Sequence, residues 1–524
     1  MKIQKLVFND NFEYAEYYPS NNDHSIKKTA FLLKDKKGIV YDGEGQNFVF
    51  GDGVSPFILD NCEDITLKNF SIDYRYAQHL EGEVYGVTER QFSLKFKDGF
   101  SAEIEDGKIK ATSRENCSCH DVMFCQEFDP VRKAPYANTG FMYLNFVKAG
   151  EIYKGDNPWI TDTILSKNEN GDITFTLAEG FEGKFNVHNG GNLVFLLTDR
   201  SASAVFINNC KNIKLENITI YRSPSMGVIA QLSENVFLDN VKVVVKDGRD
   251  ELLSSSADAT HFVNCRGKVQ LENCSFYNML DDGCNIHGIY GKVASVDGAK
   301  VKITLEHGQQ KGVNYLKTGD SVVFVSSVDY SETCTAKVKE SSLSEDKRTI
   351  LVEFEQVEGK MSVGNVVDNI SAMPEVYINA CSTGNNRPRG FLLTSVKPMI
   401  VENCLFENMA CGIHVTSDAR DWFESGKVTS LVIRNNVFKG CNYAWGTAAI
   451  VIDPSCEKDG AYVHKNIVIE NNKCQTFGYG LLWAKGVDGL TVKNNEISKI
   501  YSPRVPEKNY PTFEITNCKN VSIS

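Results

Sequence analysis

Residues 205–221 read VFINNCKNIKLENITIY, and this pattern recurs along most of the chain. Each copy has an alternating apolar and polar run, then an Asn, then a second short apolar run. The other copies are FILDNCEDITLKNFSID (57–73), QLSENVFLDNVKVV (231–244), HFVNCRGKVQLENCSFYN (261–278), MIVENCLFENM (399–409), LVIRNNVFKGC (431–441), IVIENNKCQTF (467–477) and LTVKNNEISKI (490–500). Period-two alternation in runs rich in Val, Ile and Phe is typical of strands.

The spacing of the copies indicates a solenoid. Asn217 and Asn240 lie 23 residues apart, and so do Asn471 and Asn494. A leucine-rich repeat is not favoured, because no LxxLxLxxN pattern is sustained. We therefore predict an all-β right-handed parallel β-helix, in which the recurrent Asn occupies a tight left-handed bend and can hydrogen-bond to the Asn of the next coil.

Two stretches, 76–195 and 289–369, interrupt the repeat with alternating runs and frequent Gly turns. They are too long for structureless loops, so we predict inserted antiparallel β domains, barrel-like in form. The predicted organisation is an N-terminal cap with the first coils (1–75), an inserted β domain (76–195), coils with the candidate aspartates (196–288), a barrel-like inserted domain (289–369) and C-terminal coils (370–524).

Composition narrows the function classes. The 524 residues are 42% hydrophobic and 23% charged, which is typical of a globular protein, and a solenoid accommodates a chain too long for one compact core. The net charge of −11 argues against nucleic acid or an anionic membrane as a partner. The first residues lack the apolar region of a signal peptide, so we expect a cytoplasmic protein, or an exported one if a leader has been removed.

The 16 cysteines favour free thiols rather than a disulfide framework. Several recur beside Asn in apolar strings, where they resemble small buried fillers: Cys210, Cys265, Cys274, Cys404, Cys474 and Cys518. Cys117, Cys119, His120 and Cys125 also cluster in sequence, but their spacing fits no zinc pattern well, so we predict no metal there.

The string NMLDDGCNIHG (278–288) carries the main chemical signal. Asp281 and Asp282 end an apolar run, and Asn285 and His287 then alternate with Ile286. If Ile286 faces the core, Asn285 and His287 face outward together. Taken alone, Asp-Asp-Gly is a common turn string.

Asp258 precedes Asp281 by 23 residues and Asp282 by 24, which is one coil. Stacked coils lie about 4.8 Å apart, so the three carboxyl groups should share one patch and raise at least one pKa. An acid–base pair of carboxyl groups is what a glycosidase needs, and the geometry favours the wider spacing of inverting enzymes, about 6.5–9.5 Å. Clustered Asp residues are also typical of the calcium sites of β-helix lyases. Calcium-dependent lyases usually need a basic residue near the metal, and none lies between Asp281 and His287.

Several other side chains are candidates for substrate contact. Arg387 and Arg389 in NNRPRG contact either substrate or scaffold, and Trp445 and Trp483 either stack on a sugar or pack against the coils. His414, two coils after His287, and Arg222 on an earlier coil are candidates to extend the cleft. The predicted substrate-binding set is Asn285, His287, His261, Arg387, His414 and Trp445.

The coil pattern, the aspartate one coil upstream and the DDGxNxHG string resemble glycoside hydrolase family 110 over roughly residues 20–520. The resemblance implies a parallel β-helix with inserted barrels and a metal-independent, inverting exo-α-1,3-galactosidase that needs no cofactor and acts on galactose-terminated glycans. It implies Asp281 as the general acid, with Asp258 and Asp282 holding and activating water. Many members of the family are exported.

Other readings stay open at this stage. The pattern also resembles the polygalacturonases, but their Gly-His-Gly and Arg-Ile-Lys motifs are not evident and the negative net charge disfavours an anionic polymer. A calcium-dependent lyase and a non-catalytic carbohydrate-binding β-helix are further alternatives. The repeat continues to Ser524, so a cap or a homodimer is expected to cover the end of the solenoid.

Overall fold

Hydrogen-bonded ladders of asparagine side chains connect the bends of successive coils. The computed structural model describes residues 2–8, 10–113, 119–120, 122–137, 139, 141–148, 150, 160–197, 200–444, 446–456, 458 and 461–524. Asn69, Asn217 and Asn240 all have φ between 50° and 60°. The Asn217 amide donates to the Asn69 Oδ1 at 3.1 Å, and the Asn240 amide donates to the Asn217 Oδ1 at 2.9 Å. The recurrent Asn therefore has the predicted conformation and the predicted partner.

One face of the coils is a parallel sheet, here called the long sheet, which contains 18 strands among the described residues. Most coils contribute one strand before the Asn bend and one after it, or a single long strand bent at the Asn. The strands are Lys2–Lys5, Lys37–Phe50, Glu63–Tyr74, Lys211–Ile220, Glu234–Val243, Arg266–Glu272, Ser275–Tyr277, Glu375–Asn379, Ser382–Gly384, Met399–Glu402, Leu405–Glu407, Leu431–Arg434, Val437–Lys439, His464–Glu470, Lys473–Thr476, Val487–Lys493, Glu496–Lys499 and Lys519–Ile523.

The other face is a 13-stranded sheet within the described chain, here called the site sheet. It is parallel except for the pairs that its first and its shortest strands make. Its strands are Glu13–Tyr17, Ser25–Lys34, Val54–Asp60, Val205–Asn208, Val228–Gln231, Thr260–Val263, Cys284–Ile289, Phe391–Leu393, Ile413–Val415, Glu424–Ser425, Ile450–Ile452, Leu482–Lys485 and Phe513–Thr516.

A single apolar cluster fills the space between the two sheets along the whole stack. Phe406 contacts Phe391 and Phe438 with ring centroids 4.9 and 4.8 Å away, so aromatic rings stack from coil to coil. The described cysteines are free thiols. The predicted fillers are buried, except Cys518, which is partly exposed near the last coil; Cys117 and the side chains of Cys119 and His120 lie outside the described residues.

The first insertion is a mixed sheet whose pairings close into a ring of seven strands, with Ala134–Pro135 added at one side. One pair of strands, Phe141–Phe146 and Ile160–Lys167, is parallel. The prediction of a purely antiparallel domain is therefore wrong for this insertion. Its other strands are His79–Tyr85, Gln91–Phe96, Val122–Asp129, Ile173–Leu177 and Asn192–Leu196, and a small separate sheet has Ala102–Glu105, Lys108–Ala111 and Cys119–His120.

The second insertion is a closed antiparallel barrel, as predicted. Its strands are Gly291–Asp297, Lys300–Thr304, Ser321–Val325, Glu332–Leu343, Thr349–Gly359 and Val366–Asn369, and a 3-10 helix spans Gly308–Gln310. The first insertion follows strand Glu63–Tyr74 of the long sheet, and the second follows strand Cys284–Ile289 of the site sheet. No helix in the described part of the chain has the length and apolarity to span a membrane.

Candidate active site

The strand register places the three aspartates together. Strand Thr260–Val263 pairs in parallel with Cys284–Ile289, which aligns His261 with Asn285. Just before these strands, the Ala259 N–H donates to the Asp282 carbonyl at 2.9 Å. Asp258 therefore lies one coil below the Asp281–Asp282 pair, as the spacing of 23 and 24 residues predicts.

The three carboxyl groups form a tight cluster whose nearest oxygens all lie within 4.8 Å of one another. Asp258 and Asp282 have side-chain exposures of 4% and 1%, whereas Asp281 retains 15%. This distance joins the nearest oxygens, whereas the separation of about 6.5–9.5 Å in inverting enzymes joins whole carboxyl groups, so the inverting spacing stays a prediction. Asp281 is the member that faces the cavity most openly.

Arginines neutralise two of the carboxylates. Arg200 Nη2 donates to Asp281 Oδ2 at 2.5 Å. Arg389 forms a bidentate pair with Asp282: Nε donates to Oδ1 at 2.9 Å and Nη2 donates to Oδ2 at 2.8 Å. Arg389 therefore binds an aspartate of the cluster, and it also lines the cavity. The aspartate cluster is therefore surrounded by basic side chains. The absence of a basic residue between Asp281 and His287 in the sequence did not predict this, because the arginines come from other segments.

These arginines divide the pKa values of the cluster. Burial raises the pKa of Asp281, but Arg200, Arg387 and Arg389 outweigh it and hold that pKa below its usual range. Burial and the charge of Asp281 raise the pKa of Asp258 to about 8. Burial also raises the pKa of Asp282, but Arg389 opposes the rise. Because both Asp282 oxygens accept from the Arg389 guanidinium, Asp282 is a carboxylate, and the raised pKa of Asp258 places the proton of the cluster on that group. A protonated carboxyl group and ionised ones thus coexist near neutral pH, as acid–base chemistry requires.

A hydrogen-bond chain through two histidines locates the proton on Asp258. His287 Nδ1 lies 2.7 Å from the Gly288 carbonyl, which can only accept, so Nδ1 carries hydrogen. Burial lowers the pKa of both His287 and His261, that of His261 to about 4, so each ring is neutral and has one N–H.

The remaining donors then follow in order. His287 Nε2 accepts from His261 Nε2, 2.9 Å away, and His261 Nδ1 must accept from Asp258 Oδ2 at 2.5 Å. Asp258 is therefore the donor, in agreement with its raised pKa. His287 lies behind His261 and does not line the cavity, so its predicted substrate contact is wrong, and its role is to fix the His261 tautomer.

The cluster lines a cavity of about 800 Å³. Its closed end is formed by buried polar side chains: Asp258, His261, Asn285 and Glu424 are each at most 8% exposed. Glu424 lies opposite Asn285 and accepts from the Asn21 amide at 2.8 Å. Burial raises the Glu424 pKa, but the charge of Arg389 and the hydrogen bond from Asn285 lower it, and the group faces the cavity as an anionic acceptor.

Other predicted residues lie around this cavity. Ile286 is fully buried in the core, so Asn285 faces outward as expected. His414 aligns with Leu392 and lines the cavity, and neither ring nitrogen has a hydrogen-bond partner among the described residues. Trp483 also lines the cavity further along the stack.

Two of the candidates have different surroundings. Arg387 contacts the scaffold and also faces the space available to substrate. Its Nε donates to the Leu280 carbonyl at 3.2 Å, and its side chain lines the cavity. Arg222 does not extend the cleft: it lines neither cavity, and its guanidinium donates to Glu251 and to the Tyr74 carbonyl. Trp445 lies outside the described residues.

The sequence reading missed Arg200, Glu424 and Trp422. Each comes from a loop or short strand beside the coils, where the repeat sets no register. Strand Glu424–Ser425 pairs antiparallel with Cys284–Ile289. This pairing places Glu424 next to Asn285, although the two residues are 139 positions apart in the sequence. An ionisable residue in an irregular segment gives no positional signal in one sequence.

Comparisons with known proteins decide the family. Alpha-1,3-galactosidase A of Shewanella woodyi is 35% identical over 92% of this chain and 77% of its own length. This chain belongs to the α-1,3-galactosidase family, glycoside hydrolase family 110. A second family member, alpha-1,3-galactosidase B of Bacteroides thetaiotaomicron, is 28% identical over 97% of this chain and 82% of its own length.

Two domain families match parts of this family member. The right handed beta helix region matches residues 366–497, which confirms the predicted fold and hand, and GLAA-B beta-barrel domain II matches 300–367. Among solved structures, a family 28 exopolygalacturonase of Yersinia enterocolitica matches 92% of this chain and 72% of its own, at 10% identity and a TM-score of 0.35. That likeness is too weak to carry a functional argument.

Proposed function

We propose that this protein hydrolyses terminal α-1,3-linked galactose from oligosaccharides or glycoconjugates by a single-displacement, inverting reaction. The observation that carries the proposal is the Asp258–Asp281–Asp282 cluster in the wall of a cavity whose deepest side chains are buried and polar. The two relatives of this protein described above are named alpha-1,3-galactosidases, and they match more than nine-tenths of its chain. A cavity closed at one end suits removal of a terminal sugar.

Asp281 is the proposed general acid, because it is the carboxyl group most exposed to the cavity. In the free site Arg200 keeps Asp281 ionised, and the proton of the cluster sits on Asp258. Catalysis then requires this one proton to move from Asp258 to Asp281 when the galactoside enters beside Arg200. The move leaves Asp258 ionised and ready to accept a proton.

Asp258 and Asp282 are proposed to hold the attacking water. Both are buried, and His261 and Arg389 fix their oxygens, so neither can advance to the anomeric carbon as a nucleophile. A water held between them can. Asp281 gives its proton to the leaving oxygen, water attacks the anomeric carbon, and the water's proton returns to the cluster, so the enzyme ends as it began.

Galactose recognition is proposed for the closed end of the cavity. Glu424 presents an anionic acceptor there, and Asn285 and His261 add neutral hydrogen-bonding groups. Hydroxyl groups of a sugar bound at this end find fixed, buried partners, and a sugar that lacks a hydroxyl leaves one of them unpaired.

A calcium-dependent lyase is less favoured. The nearest oxygens of the cluster could reach one cation, but Arg200 and Arg389 already neutralise Asp281 and Asp282 and would repel it. We therefore expect hydrolysis without a cofactor.

The test is galactose release from an α-1,3-galactosyl disaccharide by the purified protein, with and without EDTA. We expect equal rates in both, and no release from the β-linked isomer. Loss of activity in EDTA that calcium restores would overturn the metal-free mechanism. Lack of release, combined with cleavage of a uronic acid polymer, would overturn the proposed substrate.

A further inference from the structure

Two cavities meet at Asp281. The first, of about 800 Å³, has the closed polar end described above, and the second has a volume of about 750 Å³. Asp281 lines both, whereas Asp258 and Asp282 line the first alone within the described structure. The side chains common to both cavities are Phe124, Tyr143, Arg200, Asp281, Arg387 and Trp422.

We propose that the second cavity binds the leaving saccharide, the sugar or sugars to which the galactose is attached. This inference rests on the proposed function. A general acid donates its proton to the oxygen that joins the two sugars, so that oxygen must lie at Asp281. With galactose at the closed end beside Asp258, the leaving saccharide extends to the opposite side of Asp281, into the second cavity.

An aromatic platform from the first inserted domain lies where the two cavities meet: Phe124 and Tyr143 line both cavities, and Phe141 lines the first. Phe124, Phe141 and Tyr143 contact one another with ring centroids 5.5–5.6 Å apart. The Arg387 guanidinium lies 5.5 and 5.1 Å from the Phe124 and Phe141 centroids and fixes them from the side of Asp281. Tyr143 remains 37% exposed, so a ring face of the platform is available to a ligand.

Trp422, from the loop that precedes strand Glu424–Ser425, is a further aromatic side chain that lines both cavities. Its ring is 42% exposed, lies 4.6 Å from that of His307 in the barrel insertion, and has the Arg200 guanidinium 5.8 Å from its centroid. Rigid aromatic side chains with an apolar face and little conformational entropy to lose are suited to the C–H faces of a pyranose.

Polar groups complete the second cavity. Asp23, Gln309 and Ser256 line it, and Gln309 Nε2 donates to Asp23 Oδ1 at 3.4 Å, a long bond that a sugar hydroxyl can replace. The volume lies within the range of about 300–1,000 Å³ for small-ligand sites. Aromatic faces with scattered hydroxyl partners match a neutral saccharide.

The test compares two substrates that share galactose and differ in the leaving group. An α-1,3-galactosyl oligosaccharide fills both cavities, whereas α-galactosyl fluoride fills only the closed end. We measure kcat/KM for both with Tyr143→Ala and Trp422→Ala, whose rings are exposed and whose loss should not prevent folding. Tyr143→Phe keeps the ring and tests whether the ring face is what matters, and Tyr14→Ala, at a tyrosine that is 66% exposed and lines neither cavity, is the matched control. Trp483→Ala tests the alternative direction, because Trp483 lines the first cavity only.

We expect Tyr143→Ala and Trp422→Ala to lower kcat/KM for the oligosaccharide about tenfold each, with fluoride hydrolysis within about twofold of wild type. Tyr143→Phe should lose less than Tyr143→Ala on the oligosaccharide, and Tyr14→Ala should match wild type on both substrates. An oligosaccharide-specific loss in Trp483→Ala alone would overturn the inference and direct the saccharide along the coils. An equal loss on both substrates would also overturn it. A wild-type protein that hydrolyses neither substrate would refute the proposed function itself.

Discussion

The closed end of the first cavity and the walls of the second differ in origin. Asp258, His261 and Asn285 come from neighbouring coils, and the register of the site sheet fixes their positions. Tyr143 and Trp422 come from an inserted domain and a loop, which the coils do not position. We infer that the repeat builds the reaction chemistry, while the insertions choose which saccharide reaches it.

The largest expected effect is at the closed end. Asp258→Asn removes the proton store and one holder of the water, so kcat/KM should fall about 10⁴-fold on the oligosaccharide and on α-galactosyl fluoride alike. Steady-state kinetics on both substrates check this. Asp250→Asn, at an aspartate with 74% side-chain exposure, is the matched control and should behave as wild type. Retained activity on either substrate would remove Asp258 from the mechanism.

Asp281→Asn should separate the two regions, since Asp281 lies where they meet. The oligosaccharide needs an acid for its leaving oxygen and should lose about 10²–10⁴-fold in kcat, whereas fluoride needs little protonation and should lose about tenfold or less. Comparison of kcat on the two substrates measures this. Equal losses would make Asp281 a base or nucleophile instead of an acid.

Glu424→Gln should have a smaller effect that is confined to galactose binding. The substitution keeps the shape but removes the negative acceptor, so kcat/KM should fall about 10–100-fold on both substrates, with weaker inhibition by free galactose. Inhibition constants and kinetics measure this. A loss seen only with the oligosaccharide would place Glu424 on the leaving-saccharide side.

The pH profile should report the shared proton. Asp258 has a pKa of about 8 in the free protein and supplies the proton that Asp281 donates, so kcat/KM should decline as pH rises through about 8. Initial rates between pH 5 and pH 10 give this limb. His261→Asn, which removes the partner of Asp258, should shift it. A profile flat beyond pH 9 would contradict a proton on Asp258.

The smallest expected effect is on stability. The folded pKa of Asp258, about 8, exceeds the unfolded value of about 3.9, so the folded state must hold a proton that the unfolded state releases. This penalty is absent below about pH 4 and grows until about pH 8. Asp258→Asn should therefore raise the melting temperature by a few degrees, about 2–4 °C, at pH 8 but not at pH 4. Equal shifts at both pH values would contradict the assignment.

The sequence predicted the parts that repeat. The Asn spacing of 23 residues predicted the coils, and the same spacing brought Asp258 next to Asp281 and Asp282. It could not predict Arg200 or Glu424, because long-range pairing of a loop or short strand leaves no periodic signal. It also misjudged His287, since alternation along a strand indicates which side chains face outward but not which one covers another.

The most direct test of the proposed mechanism is proton NMR of the galactose first released from an α-1,3-galactosyl disaccharide, recorded before mutarotation. Water held by Asp258 and Asp282 must attack the face opposite the leaving group, so the β-anomer should appear first. Initial release of the α-anomer would contradict the inverting mechanism and show that a carboxylate of the cluster reaches the anomeric carbon despite its burial.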